Sequence, residues 1–208
     1  MNLVPLPLLT DSYKATHFRL YPQASKMVAY GEFRGGFDKD SADLRAVFYG
    51  IRYIVETYIH KQYTVQDVAL SKQFLDTHNV AKSPFPFPQD LFEKFVRENN
   101  GYFPVRIQAL QEGSIIYPHL PVYQITAINE YSRLVTWLEG LLTMVWYPTT
   151  VATLSRRCKN IIESAYQESV TNEAMWSLDS RLHDFGFRGC TSVEQSIIGG
   201  VAHLVCHV

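Results

Sequence analysis

The chain has 208 residues, 47% hydrophobic and 19% charged, which is apolar mass for one sizeable core or two small ones and argues against disorder. A net charge of −1 and a pI near 6.6 give no overall positive field, so nucleic acid and anionic membrane are excluded as partners gathered by electrostatics alone. Cys158, Cys190 and Cys206 are an odd number at unpatterned spacing, which speaks against a disulfide framework and for a reducing compartment, cytoplasm being the default.

The first ten residues are apolar but carry Pro5 and Pro7, lack a basic start and meet Asp11 at once, unlike a secretory signal. Thr10-Asp11-Ser12-Tyr13-Lys14 with Thr16-His17 then packs polar side chains into a short stretch; read alone, Thr10 or Asp11 caps a surface helix. Arg34 precedes Gly35-Gly36, either as a phosphate contact in a flexible loop or as a solvated loop arginine. Leu44, Phe48, Ile51, Val55 and Tyr58 fall at helical spacing, Thr64 and Asp67 open a second helix, and Pro88 starts a third through Leu91, Phe92, Phe95 and Val96.

After Asn99-Asn100-Gly101 the period changes to two. Val105, Ile107 and Ala109, and then Tyr123, Ile125 and Ala127, alternate with polar residues, with turns at Glu112-Gly113 and from Pro118 to Pro121. This predicts a small antiparallel sheet. Two helices are expected next, Ser132 to Trp146 and Val151 to Ser169, separated at Tyr147-Pro148 because proline cannot continue the first. No apolar run reaches the length of about 18 residues that a membrane helix needs.

The last segment, Ser180 to Gly189, reads as a strand and a glycine-flanked loop that lead into a helix. Either Thr191 with Glu194 or Ser192 with Gln195 caps that helix, which runs through Ala202. A strand, a loop and a helix N-terminus in sequence open an α/β barrel or a doubly wound sheet. An anion near Gly189 to Ser192 would meet N–H groups already aimed at it, Arg188 adds a planar charged fork, and Phe185 offers a flat face beside Gly186. Together these suit a flat, phosphate-bearing substrate. The other reading places Phe185 and Phe187 on opposite faces of a core strand and pairs Arg188 with Asp184 or Glu194. His183 reads as a general base or a structural histidine, and His203, Cys206 and His207 as metal ligands lacking a second pair or as a tail.

Four segments in order, T-D-S-Y-K-x-T-H from Thr10, F-Y-G from Phe48, W-Y-P-x-T-V-A-T from Trp146 and H-D-F-G-F-R-G from His183, resemble the nicotinamide phosphoribosyltransferase family, a type II phosphoribosyltransferase group. The resemblance runs from about Leu8 to Val205. It implies an N-terminal mixed α+β domain with a small antiparallel sheet, residues 1–150, and a connecting helix with the first strand and helix of an irregular (β/α) barrel, residues 151–208. It implies transfer of phosphoribosyl from 5-phosphoribosyl 1-pyrophosphate to nicotinamide, giving nicotinamide mononucleotide in NAD salvage.

By the same resemblance Phe185 stacks on the nicotinamide ring and Arg188 contacts amide or phosphate groups. Asp11 and Tyr13 are offered to the other subunit of a homodimer, and Arg34 meets phosphate there. Magnesium would accompany the pyrophosphate, and ATP is a further cofactor open to the full-length family. The family's catalytic histidine and the aspartate that reads the carboxamide have no counterpart here, and Cys206-His207-Val208 departs from the family pattern. The chain is therefore expected to be inactive alone, with an exposed apolar patch between Phe185 and Val205 and poor solubility. Nicotinate as substrate, or a non-catalytic dimerising role, are the other readings.

Overall fold

In the computed structural model, residues 4–36, 42–80 and 83–207 are described. The chain forms two compact units, each discontinuous in sequence: Met1–Gly31, Arg52–Ala109 and Tyr123–Met144 make the first, and Glu32–Ile51, Leu110–Val122 and Val145–Val208 the second.

In the first unit, helix α1 (Lys14–Leu20) is preceded by Tyr13 with no side-chain cap, so the expected cap at Thr10 or Asp11 is not formed. Thr10 instead donates its hydroxyl to the Trp137 carbonyl at 2.7 Å. The predicted alternation does form a sheet: β1 (Lys26–Glu32), β3 (Arg106–Ala109) and β5 (Pro121–Ile128) lie in the order β1-β5-β3, β2 (Ala46–Val47) and β4 (Ile115–Ile116) belonging to the second unit. β3 and β5 are antiparallel, with Ile107 opposite Ile125 and Ala109 opposite Tyr123, so the apolar positions of both strands share one face.

Helix α2 (Ile51–Ile54) continues into a π-helical turn, Val55–Ile59. Helix α3 (Val65–Thr77) opens on the capping box read from the sequence: Thr64 Oγ accepts the Asp67 N–H while the Asp67 carboxylate accepts the Thr64 N–H. Helix α4 (Gln89–Glu98) follows Pro88 as expected. Its Phe92 and Phe95 are fully buried, and Phe92 meets Trp137, Phe87 and Phe95 at ring-centroid distances of 4.9, 5.0 and 5.1 Å. Tyr63 and Phe103 complete this aromatic core.

The helix expected from Ser132 to Trp146 is broken into a 3-10 segment, Asn129–Leu134, and a short helix α5 (Glu139–Thr143). Leu134, Leu138 and Leu142 are buried, so the apolar pattern was a packing signal without being continuous helix.

The second unit is built on helix α6 (Trp146–Ser169), which begins five residues ahead of the expected Val151. Pro148 sits in its first turn, where an N–H is not needed, so proline starts this helix as well as ending what precedes it. Residues 44–48 are not helical: Ala46–Val47 form strand β2, paired antiparallel with β4 (Ile115–Ile116). Gly50, at φ +101°, ends that extended run before α2, and a Cβ there would lie 2.2 Å from Pro148. Thr149 and Thr153, one turn apart on α6, hydrogen-bond the backbone of Tyr49 and Val47 at 3.1 and 2.9 Å.

Helix α7 (Val193–Leu204) packs on α6 and is capped by Ser192, whose hydroxyl accepts the Gln195 N–H at 3.0 Å. Of the two capping pairs open in the sequence, Ser192 with Gln195 is the one used, the Gln195 side chain turning to the Thr191 N–H. No strand forms over residues 182–185, and Gly186–Gly189 is a 3-10 turn. Phe185, at φ −107° and ψ 19°, is already out of the extended region, and no ladder partner pairs with this segment among the described residues.

Candidate functional site

The turn ahead of α7 carries the residues singled out in the sequence. Asp184 accepts the Gly186 N–H through its carboxylate at 2.7 Å, which folds the backbone into the 3-10 turn and sets the directions of Phe185 and Arg188. Phe185 and Phe187 are 80% and 71% exposed, so neither is a core strand residue, and Arg188 is exposed beside them. The His183 and Phe185 rings meet edge to face at 6.1 Å, and His183 Nε2 lies 2.7 Å from the Ser180 carbonyl, a structural contact for that histidine.

Beneath this turn lies a cavity of about 320 Å³, walled by Tyr147, Ser155 and Cys158 of α6, by Asp184 and Cys190, and by His203 of α7. The Cys190 thiol donates to the Gly186 carbonyl at 3.3 Å, which ties the far end of the turn. Burial, with Cys190 and Asp184 nearby, pushes the Tyr147 hydroxyl above the ordinary phenol range, so it stays a neutral donor or acceptor. A Cβ on Gly199 would come within 2.7 Å of that hydroxyl, so the glycine lets α7 approach α6 closely.

His203 is no tail residue: it is buried, with Nδ1 2.9 Å from Ser155 Oγ. Sequence reading missed the roles of Tyr147, Ser155 and His203; the helical spacing of Gly199 and His203 on the inner side of α7 was the available signal. Among the described residues no group of three or more His, Cys, Asp or Glu side chains could hold a metal ion. No helix among them is long and apolar enough to cross a membrane.

The five expected substrate contacts are not gathered into one unit. Phe185, Arg188 and the exposed Arg34 belong to the second, whereas Asp11 and Tyr13 stand together ahead of α1 in the first. Tyr13 is half exposed, with its ring 5.2 Å from that of His17.

Comparison with known proteins follows the same lines. A crystal structure of human nicotinic acid phosphoribosyltransferase matches 74% of this chain and 29% of its own with a TM-score of 0.50 at 23% identity, so the fold is that of part of a phosphoribosyltransferase. Residues 5–107 match the family profile for the nicotinamide phosphoribosyltransferase N-terminal domain. Nicotinamide phosphoribosyltransferase of Xanthomonas campestris is 35% identical over 202 residues, 96% of this chain and 41% of that protein. Proteins of the same name from Acinetobacter baylyi and Mycoplasma genitalium are 24% and 23% identical over 95% of this chain. Over the length it spans, the chain is similar to the N-terminal part of nicotinamide phosphoribosyltransferases. It spans 41% of the length of the first two of these relatives.

Proposed function

We propose that this chain contributes the pyridine-holding part of a nicotinamide phosphoribosyltransferase. The observation that carries the reading is the turn at 184–189, which offers an exposed Phe185 face and the Arg188 fork within four residues, on a backbone fixed by Asp184. In the reaction the nicotinamide ring nitrogen forms a bond to the anomeric ribose carbon of 5-phosphoribosyl 1-pyrophosphate as the bond to pyrophosphate breaks. The products are nicotinamide mononucleotide and pyrophosphate.

Phe185 orients the ring by stacking, and Arg188 binds amide or phosphate oxygens through its planar donors. Asp11 and Tyr13 are supplied by the partner subunit of a homodimer, the tyrosine covering the second face of the ring, with Arg34 on phosphate. Magnesium would accompany the pyrophosphate, as the family resemblance implies, and would neutralise the leaving charge. ATP coupling, a cytoplasmic location and the division at about residue 150 belong to the same proposal.

Phe185 at 80% exposure cannot keep water from the reacting carbon, which supports the view that the 208-residue chain does not turn over unaided. The fold likeness to a nicotinic acid phosphoribosyltransferase keeps nicotinate as the second reading. The test is product formation with magnesium and both substrates, by the chain alone and mixed with an intact relative. Arg188→Ala lowering product in the mixture supports the role of the turn; turnover by the chain alone would show its site to be more complete than proposed.

A further inference from the structure

We propose that Lys14 and Glu139 form a latch that orients the Tyr13 ring, making Lys14 a positioning residue for the aromatic face this unit presents. The inference rests on the reading above, in which Tyr13 covers the pyridine ring.

Lys14 is only 4% exposed, although lysine is among the residues least often buried. Its ammonium pairs with the Glu139 carboxylate at the start of α5, and the same nitrogen lies 4.9 Å from the Tyr13 ring centroid. The cation is thus anchored by one carboxylate and faces one aromatic ring. A cation placed over a phenol ring attracts its electron-rich face, which fixes the ring plane as well as its position. The opposite constraint comes from His17, edge to face with Tyr13 at 5.2 Å. The His17 ring is itself tilted against that of Tyr21 at 5.8 Å, and the Tyr21 hydroxyl lies 3.0 Å from Thr136 Oγ.

The segment 136–140 therefore holds residues 10–21 at several points: Thr10 on Trp137, Tyr21 on Thr136 and Lys14 on Glu139. Tyr13 nonetheless stays 49% exposed, so the ring is held without being covered. A buried ion pair is a poor device for stability, because desolvating the ammonium opposes the attraction it gains, whereas it serves orientation well. Glu139 is 44% exposed at its side chain and is solvated when Lys14 is removed, so a methionine at position 14 can keep the fold while losing the cation.

The experiment uses the full chain labelled with fluorotyrosine and read by fluorine NMR, the Tyr13 signal being assigned by its loss in Tyr13→Phe. Lys14→Met and Glu139→Gln are expected to move the Tyr13 resonance towards that of free fluorotyrosine, Lys14→Arg to retain most of the original shift, and Lys72→Met, which breaks the Lys72–Asp76 pair, to leave it alone. The thermal midpoint of Lys14→Met should stay close to that of the parent chain. A Tyr13 resonance unmoved by Lys14→Met would overturn the latch. Nicotinamide is then added as the probe, with its affinity expected to fall on the order of three-fold in Lys14→Met. A resonance that responds to Lys14 but never to nicotinamide upholds the latch as a structural contact and sinks the substrate reading of Tyr13.

Discussion

Thr149 and Tyr49, a hundred residues apart in sequence, are joined by two hydrogen bonds through one hydroxyl: the Tyr49 N–H donates to Thr149 Oγ and Thr149 Oγ donates to the Tyr49 carbonyl, both at 3.1 Å. With Thr153 on the Val47 amide, this is how the F-Y-G and W-Y-P-x-T-V-A-T segments become one piece of structure. Thr149→Val keeps the shape and removes both bonds, leaving a peptide N–H and a carbonyl unpaired. The expected loss is about 2–4 kcal/mol, read from the urea midpoint; Thr149→Ser should recover most of it.

The aromatic core of the first unit turns on Phe92, which has no exposed surface and touches five other rings. Phe92→Ala is expected to destabilise by roughly 3–5 kcal/mol, and Phe92→Leu by distinctly less because it refills most of the volume. Equal losses in the two variants, measured by denaturant unfolding, would mean the site collapses freely and the ring geometry is unimportant.

Alkaline pH should unfold the chain. The Tyr123 hydroxyl is pushed up from 10.0 to about 12, first by burial and then by the Glu139 carboxylate, and Tyr63 is raised in the same direction by burial. A folded pKa above the unfolded one means full stability below about pH 10 and progressive loss as pH rises through the folded value, by roughly 2–3 kcal/mol for Tyr123. Tyr123→Phe should flatten the fall in urea midpoint above about pH 10; an unchanged slope would remove Tyr123 from the explanation.

The expected apolar patch is present on α7. Val193, Ile197, Val201 and Leu204 are all exposed at spacings of four, four and three residues, which is one helix face, with Phe187 nearby in sequence and also exposed. Such a face promotes association. Ile197→Glu should leave the melting temperature nearly unchanged and lower the sedimentation-measured association of the chain; association insensitive to this change would locate it elsewhere.

Legibility followed locality. The Thr64–Asp67 box, the proline-led α4 and the β3–β5 alternation were readable because each is decided within a few residues or by a strict period. Residues 44–48 were misread as helix because Phe48 and Ile51 do share a helical spacing, while the deciding facts, pairing with β4 and the threonines of α6, lie more than 60 residues away. The strand expected ahead of Gly186 does not form, since an Asp184 side chain supplies locally what a neighbouring strand would have supplied. The burial of Lys14 carried no sequence signal at all, because its partner Glu139 is distant in the chain.

The 184–189 turn is proposed to hold a pyridine ring. Titration of nicotinamide into the purified chain, followed by saturation-transfer NMR on the pyridine protons, tests it most directly. Transfer is expected to fall several-fold in Phe185→Ala and to be largely kept in Phe185→Tyr, the stacking face being worth on the order of 1 kcal/mol. Transfer of equal size in the parent chain and in Phe185→Ala would contradict it.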